Sequence, residues 1–269
     1  MVTGASGFIG TAVCRGLRGR GHEVVAASLR AGASGFRIGD EATVVHLAGI
    51  AHRNASAVEL KRVNVDYPLE IGRAAAASGA HMIFMSSIKV YGEESESPLA
   101  QDSPRRPRDP YGRSKAIAEE GLLAMPGLRL TIIRPPLVYG PGVKANFLAL
   151  MKVVARAWPL PFESIRNRRS FLYVENLADL IRHCIEHASA NEIHLPCDGS
   201  PLSTPQLCRE LARALQTPAR LFPFPPLLLE LLPGGRRMTR SLYFGEQAWR
   251  PPFARDEALR ETARWFRAR

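Results

Sequence analysis

Three residue types at suggestive intervals could carry chemistry. Ser87 closes an apolar run, Tyr111 follows twenty-four residues later, and Lys115 lies four beyond that. If Tyr111 opens a helix, Lys115 sits one turn along on the same face. A phenol beside an ammonium gives a proton donor and acceptor near neutral pH, because the positive charge favours the phenolate. A serine hydroxyl at the same place can hold a substrate oxygen. Each part is ordinary alone, since Y-x-x-x-K recurs by chance in helices and S-S often ends a strand. The spacing gains a purpose only if the chain also supplies a group that needs it.

Such a group has a candidate cradle at the start of the chain. M-V-T-G-A-S-G-F-I-G places glycines at 4, 7 and 10. After a strand and before a helix, that spacing lets the backbone turn tightly and rest a pyrophosphate on the positive helix N-terminus. The pattern predicts a helix over 8–17, strands over 22–28 and 43–48, a long Ala-rich helix over 54–77 and a strand over 81–86. A polar, proline-rich loop then runs to Asp109, followed by a helix over 111–125 and a strand over 128–133. Strands alternating with helices predict an α/β fold with a parallel sheet covered on both faces. Beyond R-P-P-L-V-Y-G-P-G, helices dominate: 146–157, 174–188, 204–215 and 256–266. The expected division is a dinucleotide-binding domain over 1–142 and a substrate-binding domain over 143–269.

Composition limits the alternatives. The 269 residues carry a formal charge of +11, and 46% are hydrophobic, ample for a core. Of the 36 basic residues, 31 are Arg and only five are Lys, a skew that points to base composition rather than a nucleic-acid partner. Local groups at 105–108, 166–169 and 236–240 suit an anionic small molecule. The four cysteines, Cys14, Cys184, Cys197 and Cys208, have neither metal-binding nor C-x-x-C spacing. They are expected to be reduced thiols in a cytoplasmic protein, with no metal. The leucines over 227–232 are too short a run to span a bilayer, and a core helix is favoured there over an apolar patch for a partner.

T-G-A-S-G-F-I-G, V-V-H-L-A-G, S-S-I-K-V-Y-G and Y-G-R-S-K occur in an order and spacing that resembles the extended short-chain dehydrogenase/reductase family, which includes sugar-nucleotide epimerases, dehydratases and reductases. R-R-S-F-L-Y-V-E-N-L-A-D-L over 168–180 is similar to that family's substrate-domain motif. The resemblance implies a Rossmann-type doubly wound parallel sheet with a smaller, mainly helical C-terminal substrate domain. It implies Ser87, Tyr111 and Lys115 as catalytic residues, with Ser86 structural. The implied dinucleotide contacts are Gly4, Ser6, Gly7, Phe8, Ile9 and Gly10 at the turn, Ser28 and Arg30 after the second strand, and Leu47, Ala48 and Gly49 at the adenosine half. Asn64, Pro135, Tyr111 and Lys115 complete that set near the nicotinamide. Ser28 with Arg30, in place of an acidic residue, favours NADP(H), with NAD(H) the alternative. Ser87, Lys89, Asn146 and Arg169, with Arg168 beside it, are the implied contacts of a UDP-sugar, and His52 and Lys89 are otherwise solvated loop residues.

The residues after Ser87 narrow the chemistry further. Dehydratases of the family carry Asp-Glu there, whereas this chain has Ile88-Lys89, so elimination of water is not expected. A 4-ketoreductase acting on a UDP-4-keto-6-deoxy-N-acetylhexosamine is favoured, because S-S-I-K-V and G-P-G-V-K-A-N-F resemble enzymes that make polysaccharide precursors. A UDP-sugar 4-epimerase and a non-catalytic dinucleotide-binding protein are the alternatives. Against the family pattern, the first strand is reduced to Met1 and Val2, and the 29–42 link is short. Either the chain lacks its true start or adenosine is held loosely, and weak NADPH and NADH binding in a fluorescence titration is the expected result. A homodimer through the 54–77 and 111–125 helices is also implied.

Overall fold

The computed structural model describes residues 1–29, 38, 43–51, 55–187, 191–232, 234–245 and 249–269. The chain forms two compact units, and it passes between them more than once where a single division near Gly142 was expected. The first comprises Met1–Gly92, Gln101–Pro136 and Leu177–Pro196, and the second Glu93–Ala100, Leu137–Asn176 and Cys197–Arg269.

The first unit is built on β1 (Val2–Thr3), β2 (Ala26–Ala27), β3 (Thr43–His46), β4 (His81–Met85), β5 (Arg129–Ile133) and β8 (Glu192–His194). These form one six-stranded sheet in the order β2-β1-β3-β4-β5-β8. Every pairing is parallel. The sequence H-M-I-F-M of β4 is buried at every position, as a parallel strand covered on both faces requires. Because β2 and β3 flank β1 on opposite sides, the chain reverses its winding direction there, and the carboxyl ends of the strands become the natural ligand crevice.

The buried strand expected over 22–28 is reduced to Ala26–Ala27, with Val25 54% exposed. β2 is an edge strand, and β1 offers only Val2 and Thr3 as partners. Of the link between β2 and β3, only Ser28, Leu29 and Ile38 fall among the described residues.

Helix α1 (Phe8–Arg18) follows the glycine turn. The predicted 54–77 helix resolves into α2 (Ala57–Lys61), one π-turn (Arg62–Asp66) and α3 (Tyr67–Ser78). Pro68 explains the interruption, since it lacks the N–H that would bond to the carbonyl of residue 64. α4 (Pro110–Leu123) begins with Asp109 as its cap, Oδ1 accepting from the Gly112 amide at 2.6 Å, and with Pro110 at its first position. Tyr67, Ile71 and Ala75 of α3 and Ala118 and Leu122 of α4 join Val44, Met82, Phe84, Leu130 and Ile132 in one core.

The second unit holds the parallel pair β6 (Leu137–Tyr139) and β7 (Phe171–Tyr173) with α5 (Ala145–Ala155). α6 (Val174–Glu186) begins in it and continues into the first unit, while α7 (Thr204–Leu215), α8 (Pro226–Glu230), α9 (Gly235–Thr239) and α10 (Arg255–Arg267) complete it. A capping box of Ser203 and Gln206 starts α7.

Candidate active site

Four strand ends in the first unit assemble the site. At the end of β1, Gly4 has φ +69, and a Cβ there would lie 2.7 Å from the Ala48 amide nitrogen. A Cβ on Gly10 would meet the Gly4 carbonyl oxygen at 2.1 Å, so only glycine lets α1 approach the turn this closely. Gly7 caps α1 without a side-chain bond, and no acidic residue occupies the first turn. The amides of Phe8 and Ile9 are thus left for an anion. This cradle fits a dinucleotide pyrophosphate. Ser28 is exposed directly after β2, whereas Arg30 and His52 lie outside the described residues.

After β3, the Leu47 amide donates to the Thr3 carbonyl at 3.2 Å, and the Ala48 amide to the Thr3 hydroxyl at 3.4 Å. Asn64, fully buried on the π-turn, holds this loop in place. Its Oδ1 accepts from the Ile50 amide at 2.8 Å, and its Nδ2 donates to the Ile50 carbonyl and the Ser114 hydroxyl at 2.9 and 3.0 Å. The space beside Gly49 brings the parts together: a Cβ there would lie 3.2 Å from Lys115 Nζ and 3.3 Å from Asn64 Oδ1.

Beyond β4, Ser86 and Ser87 part company. The Ser86 hydroxyl is buried without a partner, its amide tied to the Ile133 carbonyl. Ser87 lies near enough to the Tyr111 phenol to favour its ionisation, and its hydroxyl accepts from the Lys89 amide at 3.2 Å. The Ile88 amide reaches the Pro135 carbonyl at 2.9 Å, locking this turn to R-P-P after β5. Lys115 is 2% exposed and donates to the Met85 carbonyl at 2.9 Å, 4.8 Å from the Phe84 ring centre.

The electrostatics depart from the simple expectation. Burial pushes Tyr111 up to about 12, the nearby Ser87 hydroxyl opposes this, and Asp109 adds to it. A phenol beside an ammonium was expected to shift the other way. The physical reason lies with Lys115: its amine is turned to the Met85 carbonyl, and burial lowers it to about 8 despite Glu119. Lys89 forms an ion pair with Asp109, so its charge is spent on the carboxylate that caps α4. Burial and the nearby Lys115 drive His46 down to about 3.

Sequence reasoning missed two supports. Asp109 was readable from D-P at a helix start, the usual cap-then-proline order. Glu119 was not: it is fully buried and holds Arg134 through bonds of 3.0 and 2.7 Å, fixing the residue before Pro135. No local pattern announces a pair fifteen residues apart.

In the second unit, Asn146 is exposed in the first turn of α5. Arg169 is held by the carbonyls of Arg237 and Arg240 at 3.0 and 3.2 Å, and burial together with Arg237 lowers it to about 10. Arg168 lies exposed over the Tyr243 ring at 4.6 Å. A groove lined by Arg166, Arg168 and Arg209 opens beside the start of α7. Asp198 accepts from the Asn176 side chain and the Tyr173 amide, both at 2.8 Å, in a buried polar group that the sequence reading did not foresee. All four cysteines are buried and unpaired. Among the described residues, no cluster of three His, Cys, Asp or Glu could hold a metal ion, and no helix is long and apolar enough to cross a membrane.

Known proteins place this arrangement. A protein named UDP-glucose 4-epimerase from Vibrio cholerae is 34% identical, with 99% of this chain and 94% of the relative covered. The alignment is longer than the chain, so the relative carries residues that this chain lacks. Among solved structures, a Thermus thermophilus UDP-glucose 4-epimerase complex with NAD superimposes with a TM-score of 0.77 at 23% identity, covering 99% of this chain and 98% of the other. A human epimerase family protein with NADPH reaches a TM-score of 0.81 at 19% identity, covering 98% of each. Both share the fold. The sequence model described as the NAD dependent epimerase/dehydratase family matches residues 1–195. With its glycine cradle, its parallel sheet and a serine, tyrosine and lysine gathered at the carboxyl ends of the strands, the chain belongs to the NAD dependent epimerase/dehydratase family.

Proposed function

We propose that the protein moves a hydride to and from C4 of a UDP-sugar, with Ser87, Tyr111 and Lys115 as its catalytic residues. The observation that carries this is the gathering of groups at the end of β4, where the Ser87 hydroxyl lies near enough to the Tyr111 phenol to favour its ionisation and the buried Lys115 amine rests on the Met85 carbonyl. Gly4, Gly7 and Gly10 with the start of α1 would hold the pyrophosphate of the dinucleotide, and Gly49, Asn64, Lys115 and Pro135 its nicotinamide half. The bound nicotinamide supplies the hydride acceptor or donor.

Tyr111 takes the proton from the C4 hydroxyl as the carbon is oxidised, and returns it on reduction. Ser87 holds the same oxygen in line with the phenol. Lys115, once drawn from the Met85 carbonyl, adds positive charge next to Tyr111 and lowers the cost of its phenolate. Ile88 is 5% exposed and Lys89 is tied to Asp109, so neither offers the acid or base that eliminating water would need.

The finer reading supported by the Vibrio relative is 4-epimerisation, in which the hydride returns to the other face of C4. Reduction of a UDP-4-keto-6-deoxy-N-acetylhexosamine is the second reading, favoured by the S-S-I-K-V sequence around Ser87. Incubation with UDP-glucose and UDP-N-acetylglucosamine in the presence of NAD tests the first by C4 inversion. Loss of reduced-nicotinamide absorbance with the keto sugar and NADPH tests the second. Failure of both, or full activity in Tyr111→Phe, would overturn the assignment. Ser28 supports NADP(H) and the relatives' family supports NAD(H), and competition between the two in that assay decides it. Exposed Val58 on α2 and Ile117 and Leu123 on α4 support pairing of two copies through these helices.

A further inference from the structure

The leucines over 227–232, expected in a core helix, do something else. Only Leu229 is buried. Leu227, Leu228, Leu231 and Leu232 are 74%, 50%, 80% and 57% exposed, and Phe222 nearby is 41% exposed. Of the large apolar side chains exposed among the described residues, nearly half fall in this one short stretch. Such crowding marks a contact surface rather than ordinary scatter.

The ridge is held rigidly. Pro225 and Pro226 set the start of α8, and the Leu231 and Leu232 amides bond back to Leu228 and Leu229 at 3.3 and 3.1 Å. Leu227, Leu228 and Leu231 therefore fall at helical spacing on one face. Behind that face, Glu230 accepts from the Thr239 hydroxyl and Arg240 at 2.9 and 2.7 Å, joining α8 to α9. The two helices approach so closely that a Cβ on Gly235 would lie 1.7 Å from the Leu229 carbonyl oxygen.

Charge identifies the occupant. Residues 217–245 contain four arginines, Arg220, Arg236, Arg237 and Arg240, against one acidic residue, Glu230. The Arg236 side chain is 78% exposed and the Arg240 side chain 45%. Arg236 stands 4.0 Å from Glu230, and Glu93 approaches Arg237 at 3.7 Å. Such exposed pairs hold weakly and exchange readily for phosphate. A second copy of the chain is a poor occupant, since five side chains fall well short of the roughly 800 Å² per partner of a stable interface. Leucine tips flanked by arginine suit a fluid, anionic surface, which needs no complementary groove.

We propose that α8 and α9 form a peripheral docking element for an anionic lipid surface. Phe222 and the four exposed leucines enter the boundary between headgroups and acyl chains, and Arg220 and Arg236 meet the lipid phosphates. The proposal does not depend on which sugar the site accepts.

Flotation of the whole chain with vesicles tests it. Binding to phosphatidylcholine vesicles containing phosphatidylglycerol is expected, weaker without the anionic lipid and falling as salt rises. Leu227→Ser/Leu231→Ser should weaken binding by ~tenfold or more. Arg220→Glu/Arg236→Glu should abolish the preference for phosphatidylglycerol. These are surface positions, so unchanged melting temperatures are expected for both variants. Absence of binding to anionic vesicles, or binding indifferent to the leucine substitutions, overturns the proposal. So does a wild-type dimer that Leu227→Ser/Leu231→Ser converts to monomer, which would assign the ridge to self-association.

Discussion

Replacing Lys115 by Met should make the protein more stable at neutral pH while removing its activity. The buried amine carries a charge that the fold disfavours: burial lowers it from 10.5 to about 8. At about 1.4 kcal/mol per pH unit, that difference opposes folding by roughly 3 kcal/mol when the amine is charged. The sign follows from proton counts. Between about 8 and 10.5 the unfolded chain holds a proton that the folded chain has released, so wild-type stability rises with pH across that window. Below 8 the penalty is present in full. Methionine has a similar length and removes the charge, though the bond to the Met85 carbonyl, about 1 kcal/mol, is lost with it. The net expectation is about 2 kcal/mol of added stability at pH 7. Chemical denaturation of both proteins at pH 7 and again near the top of the window measures this. The variant's advantage should shrink as pH rises. A variant less stable at pH 7, or an advantage independent of pH, would refute the reasoning. Wild-type turnover in the variant would refute the role given to the amine.

Three further outcomes follow from other parts of the site. Asp109→Asn keeps the α4 cap but removes a charge that raises Tyr111, so the limb along which the oxidation rate rises with pH should move to lower pH; Lys89→Met, which removes the ion pair to Asp109, should move it higher. Glu119→Ala strands the Arg134 guanidinium, whose side chain is 3% exposed, and should cost about 3–5 kcal/mol in a urea titration. Adding Arg134→Met should recover much of that loss. Gly7→Ala meets its nearest atom at 3.2 Å and should leave the melting temperature nearly unchanged while weakening NADPH or NADH binding. Gly10→Ala, at 2.1 Å from the Gly4 carbonyl, should damage the fold itself.

The sequence showed what depends on short-range pattern. The glycine spacing, the apolar runs of β4 and β5, and Tyr111 followed by Lys115 all have local periods that burial and helix geometry impose, and each was found within a few residues of its expected place. The structure also separated Ser87 from Ser86, bringing the former to Tyr111. What escaped notice depended on distance or on one missing atom. The π-turn follows from the absent amide of Pro68, the Glu119–Arg134 pair joins a helix to a strand, and the Tyr111 shift follows from where Lys115 Nζ points. The leucines over 227–232 misled because apolar composition predicts burial, whereas tight packing against α9 and the single anchor Leu229 let the rest project outward. Asn146 and Arg169 are placed individually, Arg169 engaged by carbonyls of its own unit.

The path of the chain also bears on its synthesis. β5 gains its outer neighbour only when Glu192–His194 arrives, after residues 137–176 of the second unit have been made. During translation the nucleotide-binding sheet therefore has an exposed edge at β5 for some sixty residues of elongation, several seconds at ordinary ribosome speeds. An unpaired parallel edge is a template for unwanted pairing. Arg129, exposed at the first position of β5, places a charge on that edge during this interval, and a ribosome stalled between residues 134 and 191 should present a nascent chain that needs chaperone cover.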